Sequence, residues 1–201
     1  MKKHLLLALL LLTFGAKGFA QLTLTVADGM ETNQFVPIYG LYTDAYLRCQ
    51  VVYPAADLAG MTGGTITALT FYLSSPASAS WSPADFHVRL ADNYSGTTIS
   101  TYSTATMTEV YSGSLDGTQS TMTVTFSTPF VYTGGNLLLE VTNETEGTYK
   151  DSYFWGVEAT NASVQGYSYY DLQSVGTNTY NFIPKTTFTY IPGGSGPMCL
   201  D

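Results

Sequence analysis

The segment Thr121-Met122-Thr123-Val124-Thr125-Phe126 alternates threonine with apolar residues. Successive side chains of a β-strand point to opposite sides, so this segment would form a strand with one apolar face and one hydroxylated face. The same period of two recurs in Phe86-His87-Val88-Arg89-Leu90 and in residues 65–73, whereas the 3.6-residue period of an amphipathic helix is nearly absent. These patterns predict an all-β chain.

About ten short segments carry this alternation or are rich in the branched and aromatic residues that favour strands. They are residues 22–26, 45–53, 65–73, 86–90, 109–114, 121–126, 136–143, 149–158, 164–169 and 185–190. Turns containing glycine, such as Gly63-Gly64 and Gly134-Gly135, separate several of them. We therefore predict a single jelly-roll-like β-sandwich over residues 21–190, with mostly antiparallel strands and one short helix at 54–61.

Residues 1–20 are typical of a secretory signal peptide. Lys2 and Lys3 provide the charged start, residues 5–14 form an apolar run, and Ala20 suits a signal peptidase. We expect cleavage near Ala20 and export of the mature chain, either as a secreted protein or onto the cell surface. No later segment approaches the roughly 20 apolar residues of a membrane-spanning helix, so no transmembrane segment is predicted in the mature chain.

The predicted mature chain is strongly acidic. It keeps Arg48, Arg89, Lys150 and Lys185 against all fifteen Asp and Glu residues, which gives a net charge of 4 − 15 = −11. Such a surface repels phosphate backbones and anionic lipid headgroups, which argues against nucleic acid and membrane surfaces as partners. Acidic charge also keeps an exported protein in solution.

The two cysteines and the C-terminal tail leave alternatives open. Cys49 lies in an apolar strand pattern and Cys199 in the tail, so the pair could form a disulfide or Cys49 could be a buried free thiol. Residues 191–201 have the Gly, Pro and Ser content of a flexible linker. We expect this linker to lead into the truncated start of a following domain.

Several stretches carry a resemblance to a known bacterial module. They are Val36-Pro37-Ile38-Tyr39-Gly40, Tyr53-Pro54-Ala55-Ala56-Asp57-Leu58, Thr70-Phe71-Tyr72-Leu73, Thr128-Pro129-Phe130, Gly134-Gly135-Asn136-Leu137-Leu138-Leu139-Glu140-Val141 and Phe182-Ile183-Pro184-Lys185-Thr186-Thr187-Phe188-Thr189-Tyr190. The region from about residue 33 to residue 190 resembles an adhesin-like N-terminal β-sandwich module of Bacteroidetes surface and secreted proteins, which commonly precedes fibronectin type III repeats. The resemblance implies adhesion or the handling of host or dietary glycans, and it implies no catalytic residues.

Residues that could support catalysis are few. His87 is the only histidine after residue 20, and it has no nucleophile beside it in a recognisable motif, so we interpret it as a surface histidine. One histidine and two distant cysteines do not provide the paired spacing of a zinc site.

Acidic residues offer a further set of candidates. Glycoside hydrolysis needs two carboxyl groups across a sugar cleft, and the candidates for that pair are Glu140, Glu144, Glu146, Asp151 and Glu158. Glu140 lies on a predicted strand, and no pair among them is marked as acid and nucleophile. We therefore interpret these residues as solvated loop charges rather than as a catalytic pair. The same residues, or the oxygen-rich turn at 92–96, could hold a structural calcium ion; no other cofactor is predicted.

Aromatic residues are the feature best suited to ligand binding. All sixteen tyrosines follow residue 20, and flat rings can stack on the apolar faces of sugars while polar neighbours fix their orientation. The predicted ligand-binding residues are Trp81, in a loop-like stretch, and the cluster of Tyr167, Tyr169 and Tyr170. A second cluster contains Tyr39, Tyr42 and Tyr46. The alternative is that these rings pack at the rim of the sandwich.

Three functions follow from these observations. The leading hypothesis is a non-catalytic adhesion module that binds a glycan or a host surface protein, and it predicts exposed rings in a groove or on a flat face. The alternative is a structural spacer of a longer surface protein, which predicts packed rings and no cleft. A glycoside hydrolase is the third, and it requires two carboxylates, or an acid and His87, that converge in one pocket.

Overall fold

Strand segments in which apolar and polar residues alternate in the sequence also alternate between buried and exposed side chains in the structure. The computed structural model describes residues 20–193, and in it Met122, Val124 and Phe126 are buried while the intervening threonines are exposed. The eleven strands of this part of the chain are β1 Leu22–Val26, β2 Glu31–Asn33, β3 Tyr46–Tyr53, β4 Thr65–Ser75, β5 Phe86–Tyr94, β6 Thr108–Gly113, β7 Thr121–Val131, β8 Asn136–Asn143, β9 Tyr153–Ser168, β10 Asn178–Pro184 and β11 Thr186–Ile191. The all-β prediction is confirmed.

Hydrogen bonds link the strands into one curled sheet. Its main path runs β1-β11-β4-β9-β3-β8-β5-β6, with β7 paired to β4 and with β2 and β10 paired to β9. Every one of these pairs is antiparallel. Strand β4 connects two groups of strands. Its first part pairs with β11 and β7, whereas Leu73 and Ser75 near its end pair with β9. The antiparallel arrangement agrees with the sequence, and the description as a two-layer sandwich stays a prediction.

Two predicted strands, at 149–158 and 164–169, are a single strand in the structure. Strand β9 runs without interruption over 16 residues, and the apparent break in its pattern is a register shift opposite β10. Asn161 lies there with a φ of 48°, in the left-handed region that asparagine tolerates better than most residues. The sequence pattern therefore detected a bulge and interpreted it as a loop.

Strands β2 and β10 were missed. Strand β2 is only three residues long, and its sequence Glu-Thr-Asn has no apolar member. In β10 the first residues are polar and exposed, and burial begins only at Phe182. The helix predicted at 54–61 is present as a short α-helix, α1 (Ala55–Leu58), followed by a 3-10 turn at Ala59–Met61.

Strand β8 is buried on both faces. Leu137, Leu139 and Val141 face the main core as predicted, but Leu138 on the opposite face is also fully buried. The segment between β5 and β6 covers that second face, where Ile99 packs with Leu138 and with parts of β3, β5 and β9. The sheet therefore has a small second core outside the main one.

Several predictions concern residues outside 20–193. The signal peptide, apart from Ala20, and residues 194–201 with Cys199 lie there, so the cleavage site and the pairing of the cysteines stay predictions. Cys49 itself is buried, and desolvation raises the pKa of its thiol. No helix within the described range is long and apolar enough to cross a membrane.

Candidate ligand-binding site

An open cleft lies at one end of the sheet, where three segments meet. They are the loop between β2 and β3, the loop between β8 and β9, and the end of β9 with the residues that follow it. The cleft has a volume of about 270 Å³. Four tyrosines, one leucine and one aspartate line it: Tyr39, Leu41, Tyr42, Asp44, Tyr149 and Tyr169.

Backbone hydrogen bonds hold the two loops against each other. The amide of Lys150 donates to the carbonyl of Gly40 at 2.9 Å, and the amide of Gly147 donates to the carbonyl of Thr43 at 2.8 Å. The Thr43 hydroxyl is also 3.0 Å from the carbonyl oxygen of Thr148. Gly40 is required at this contact, since a Cβ atom there would overlap the carbonyl oxygen of Lys150. The walls of the cleft are thus fixed by main-chain contacts.

The tyrosine rings form a continuous row. Tyr42 stacks on Tyr167 with ring centroids 3.6 Å apart and planes 21° apart. The ring centroids of Tyr39 and Tyr169 lie 4.9 Å and 6.2 Å from that of Tyr42, respectively. Tyr149 and Tyr169 are each 55% exposed, so their faces are available to a ligand. Such packing orients the rings at a low cost in side-chain entropy.

The phenol groups of Tyr39, Tyr167 and Tyr169 have raised pKa values and stay neutral over the physiological pH range. The neighbouring Tyr42 hydroxyl, together with desolvation, raises the pKa of Tyr167 to about 12. Desolvation, followed by the negative charge of Asp44, raises the pKa of Tyr169. Desolvation also raises the pKa of Tyr39, with smaller contributions from Tyr42 and Asp151. These hydroxyls can therefore both donate and accept hydrogen bonds.

Asp44 is the acidic group in the wall of the cleft. Its Oδ1 atom is buried, and it has no hydrogen-bond partner among residues 20–193. Buried polar atoms in proteins are almost always paired, so an unpaired carboxylate oxygen calls for an explanation. The wall of the cleft therefore contains a carboxylate whose Oδ1 atom is closed off from solvent and unpaired.

The predicted site residues differ in their position relative to the cleft. Tyr169 lines the cleft and Tyr167 supports it through Tyr42, so the structure brings the two predicted tyrosine clusters together. Tyr170 is 86% exposed and does not line the cleft. Tyr46 begins β3, where it pairs with Ser168.

The expectation of an exposed Trp81 is wrong. Its side chain is fully buried, and the indole packs on Phe86 at 5.8 Å between ring centroids. The indole nitrogen donates to the carbonyl of Lys150 at 2.9 Å, which satisfies its polar atom inside the protein. A sequence that is typical of a loop therefore contains a core residue, whose ring is buried against other segments of the chain.

Leu41, Asp44 and Tyr149 are the residues of the cleft lining that the sequence analysis missed. Asp44 lies between Tyr42 and Tyr46 of the second predicted cluster, so its proximity was a usable signal. Tyr149 was assigned to a strand, whereas the structure begins that strand at Tyr153 and leaves Tyr149 in a loop.

A second polar cluster lies on the outer face of β3, β5 and β8. Glu140, which is 4% exposed, accepts hydrogen bonds from Arg48 at 2.7 Å and from Gln50 at 2.8 Å. Arg89 links Glu140 to Glu144, at 3.3 Å and 2.8 Å respectively. Glu140 lies on a strand as predicted, but the interpretation of its charge as solvated is wrong, because neighbouring side chains cover it.

His87 belongs to the same cluster. Its Nδ1 atom lies 2.9 Å from a carboxylate oxygen of Glu109, and its side chain is only 17% exposed. The sequence expectation of a plain surface histidine missed this pairing, because Glu109 lies on β6, the neighbouring strand.

In the turn at residues 92–96, which was a candidate for calcium binding, the Asp92 carboxylate accepts hydrogen bonds from another part of the chain. The Asp92 carboxylate accepts a hydrogen bond from the Thr133 amide at 3.0 Å and another from the Thr133 hydroxyl. Across residues 20–193, no group of three or more His, Cys, Asp or Glu side chains is arranged to hold a metal ion.

Comparison of the chain with protein-family models, with curated proteins and with solved structures gives no match.

Proposed function

We propose that the protein is a non-catalytic, exported adhesion module that binds carbohydrate in the tyrosine cleft. The observation that carries this proposal is the fixed row of rings around an open cleft of about 270 Å³. A sequence resemblance to bacterial surface modules and a predicted signal peptide support the same assignment.

Ring geometry is the first argument for a carbohydrate ligand. Pyranose rings present apolar C–H faces that stack on aromatic side chains, and their hydroxyls need polar partners at the edges. Tyr149 and Tyr169 offer exposed faces, and their phenol groups offer such partners. Because the cleft is shallow and open, it suits part of an extended chain better than a fully enclosed small molecule.

Rigidity is the second argument. The main-chain hydrogen bonds of Gly40 and Thr43 with the opposite loop fix the walls before any ligand arrives. A preformed site loses little conformational entropy on binding, which favours recognition of a weakly interacting ligand such as a sugar.

The state of the carboxylates supports a non-catalytic role. A glycosidase needs one carboxyl group with a raised pKa to act as general acid. Desolvation on its own would raise the pKa of Glu144, but hydrogen bonds from Arg89 and Thr142 lower it. Glu140 forms ion pairs with Arg48 and Arg89, which is a structural arrangement.

A structural spacer is the second candidate, and one observation favours it. Spacer function predicts packed aromatics, and Trp81 is packed as that hypothesis expects. The exposed rings of Tyr149 and Tyr169 around a cleft are instead what the binding hypothesis expects.

A glycan panel distinguishes the two candidates. The chain from Gln21 onward would be applied to a broad panel of glycans and mucins, beside Tyr169→Ala and the matched control Tyr170→Ala, since Tyr170 is exposed outside the cleft. Saturable binding that Tyr169→Ala loses and Tyr170→Ala keeps is the expected result. No binding by a folded sample would contradict the proposal and favour the spacer.

A further inference from the structure

We infer that Tyr42 and Tyr167 form a site of oxidative cross-linking, at which a one-electron oxidant joins the two rings through a carbon–carbon bond. The oxidant is of the class that a haem peroxidase generates from hydrogen peroxide. This inference does not depend on what the cleft binds, because it rests on the geometry of the two rings. Three features carry it, namely the stacking of the rings, the position of their hydroxyls and their access to solvent.

The stacking of the two rings is the first feature. Their centroids lie 3.6 Å apart and their planes are 21° apart, so the carbon atoms of one ring face those of the other at van der Waals distance. The neighbouring tyrosine pairs are tilted or edge-on, with centroids 4.9 Å apart for Tyr39 and Tyr42 and 6.0 Å apart for Tyr167 and Tyr169. Among the tyrosine pairs of residues 20–193, Tyr42 and Tyr167 are therefore the best aligned for a bond between rings.

The position of the hydroxyls is the second feature. Hydrogen bonding with the Tyr42 hydroxyl is the main cause that raises the pKa of Tyr167 to about 12, so the two oxygens lie at the same end of the stack. The rings are thus aligned head to head, and the carbons ortho to the two hydroxyls face each other. The unpaired electron of a tyrosyl radical resides on the oxygen and on the ortho and para carbons, and the para carbon already carries Cβ. This alignment therefore favours a bond between the two ortho carbons.

The reaction balances as two one-electron oxidations. Each phenol loses one electron to the oxidant and its hydroxyl proton to water, and the two radicals then form a bond between their ortho carbons. The hydrogen on each of these carbons moves to the oxygen of the same ring, which restores two phenols. One molecule of hydrogen peroxide takes up the two electrons and two protons and becomes two molecules of water. The product is a protein that lacks two hydrogen atoms.

Access to the pair is the third feature. Tyr167 is 37% exposed, and Tyr42 is half-buried beside it. An oxidant can therefore reach Tyr167 at the surface, and Tyr42 can be oxidised in turn across the stacked rings. Export, as predicted from the N-terminal segment, would place the pair in a compartment where oxidising conditions prevail.

A bond between these rings would connect two distant segments of the chain. Tyr42 ends the turn Gly40–Tyr42 before β3, and Tyr167 lies near the end of β9. A covalent link between residues far apart in sequence stabilises the folded state by restricting the unfolded chain. Because Tyr42 also lines the cleft, the bond would fix that wall as well.

The test treats the chain from Gln21 onward, at low protein concentration, with a haem peroxidase and hydrogen peroxide. We expect a monomer that lacks the mass of two hydrogen atoms, shows dityrosine fluorescence and yields one pair of peptides joined through Tyr42 and Tyr167. Tyr42→Phe and Tyr167→Phe each keep the ring but remove the hydroxyl from which oxidation starts, so each should abolish the cross-linked monomer. Tyr170→Phe is the matched control, because Tyr170 is 86% exposed outside the stack, and it should keep the yield.

Thermal unfolding of the cross-linked monomer provides a second readout. Its midpoint should lie above that of the untreated protein by about 5–10 °C, because the bond closes a long loop of the chain. An unchanged midpoint would contradict a link between the two segments.

Three outcomes of the peroxidase treatment would overturn the inference. A treated monomer of unchanged mass, with dityrosine confined to dimers, would show that the stacked pair is not a cross-linking site. Cross-linked monomer that survives Tyr42→Phe, or a joined peptide that maps to Tyr42 and Tyr169, would overturn the assignment to this pair.

Discussion

Trp81, in the loop between β4 and β5, and Tyr149, in the loop between β8 and β9, lie on either side of Lys150, yet they differ completely in exposure. Trp81 is fully buried and donates its indole N–H to the carbonyl of Lys150. Tyr149, the residue before Lys150, is 55% exposed. The loop between β8 and β9 therefore contacts a core residue at Lys150 and contributes to a candidate binding surface at Tyr149.

Small residues account for the difference. A Cβ atom at Gly117 would overlap the indole ring of Trp81, and one at Gly147 would overlap the main chain of Trp81. These two glycines allow neighbouring segments to close over the tryptophan. Around Tyr149 and Tyr169 no such cover is present in the described structure. Burial of an aromatic residue here depends on whether its neighbours are small enough to approach it.

The largest expected effect on stability is that of Trp81→Ala. Removal of a fully buried tryptophan leaves a cavity and should lower the free energy of unfolding by about 3–5 kcal/mol. Urea unfolding followed by circular dichroism measures this change. A loss below about 1 kcal/mol would show that Trp81 is not a core residue, and the contrast between Trp81 and Tyr149 would fail.

Gly117→Ala should have the next largest effect. The added methyl group would meet the indole ring, and overpacking of this kind costs about 1–3 kcal/mol. Gly176→Ala is the matched control, because a Cβ atom there meets nothing within 4 Å. The midpoints of thermal unfolding of the two variants would be compared. Equal midpoints would contradict the close contact at Gly117.

Glu144→Gln should have a smaller effect that depends on pH. The pKa of Glu144 is lowered in the folded protein, so its contribution to stability is present above its unfolded value, about 4.3, and is lost as pH falls through the folded value. We expect the variant to be less stable by about 0.5–1 kcal/mol near neutral pH and equal to the wild type in acid. Urea unfolding across pH measures this difference. A difference that grows in acid would contradict the assigned ion pair.

Tyr169→Ala should have the smallest effect on stability and a clear effect on binding. Its ring is exposed, so the free energy of unfolding should change by no more than about 0.5 kcal/mol, whereas ligand affinity should fall about tenfold. Calorimetric unfolding and titration on the same sample measure both quantities. A large loss of stability with unchanged affinity would place Tyr169 with Trp81 as a structural residue.

Local patterns explain what the sequence could predict. Alternation over Thr121–Val131 reports directly which face is buried, since strand geometry depends on neighbours in the chain. The joining of the two tyrosine clusters could not be predicted in this way. It depends on the pairing of β3 with β9, which places Tyr46 opposite Ser168 and so brings residues far apart in sequence to one end of the sheet.

The same reasoning explains the failure at Trp81. Its environment comes from Phe86, Gly117 and Lys150, which belong to three separate segments. Nothing in the residues adjacent to Trp81 reports these contacts. Asn161 is an intermediate case, because the local pattern located an irregularity there but did not reveal that the strand continues through it.

The most direct test of the cleft is an NMR titration of the chain from Gln21 onward, labelled in its tyrosine and tryptophan rings, with the soluble oligosaccharides of the glycan panel. Binding in the cleft predicts concentration-dependent shifts of the Tyr39, Tyr42, Tyr149 and Tyr169 ring signals, with the Trp81 indole signal unchanged. Unchanged tyrosine signals at the highest concentrations, or shifts centred on Trp81, would contradict the account.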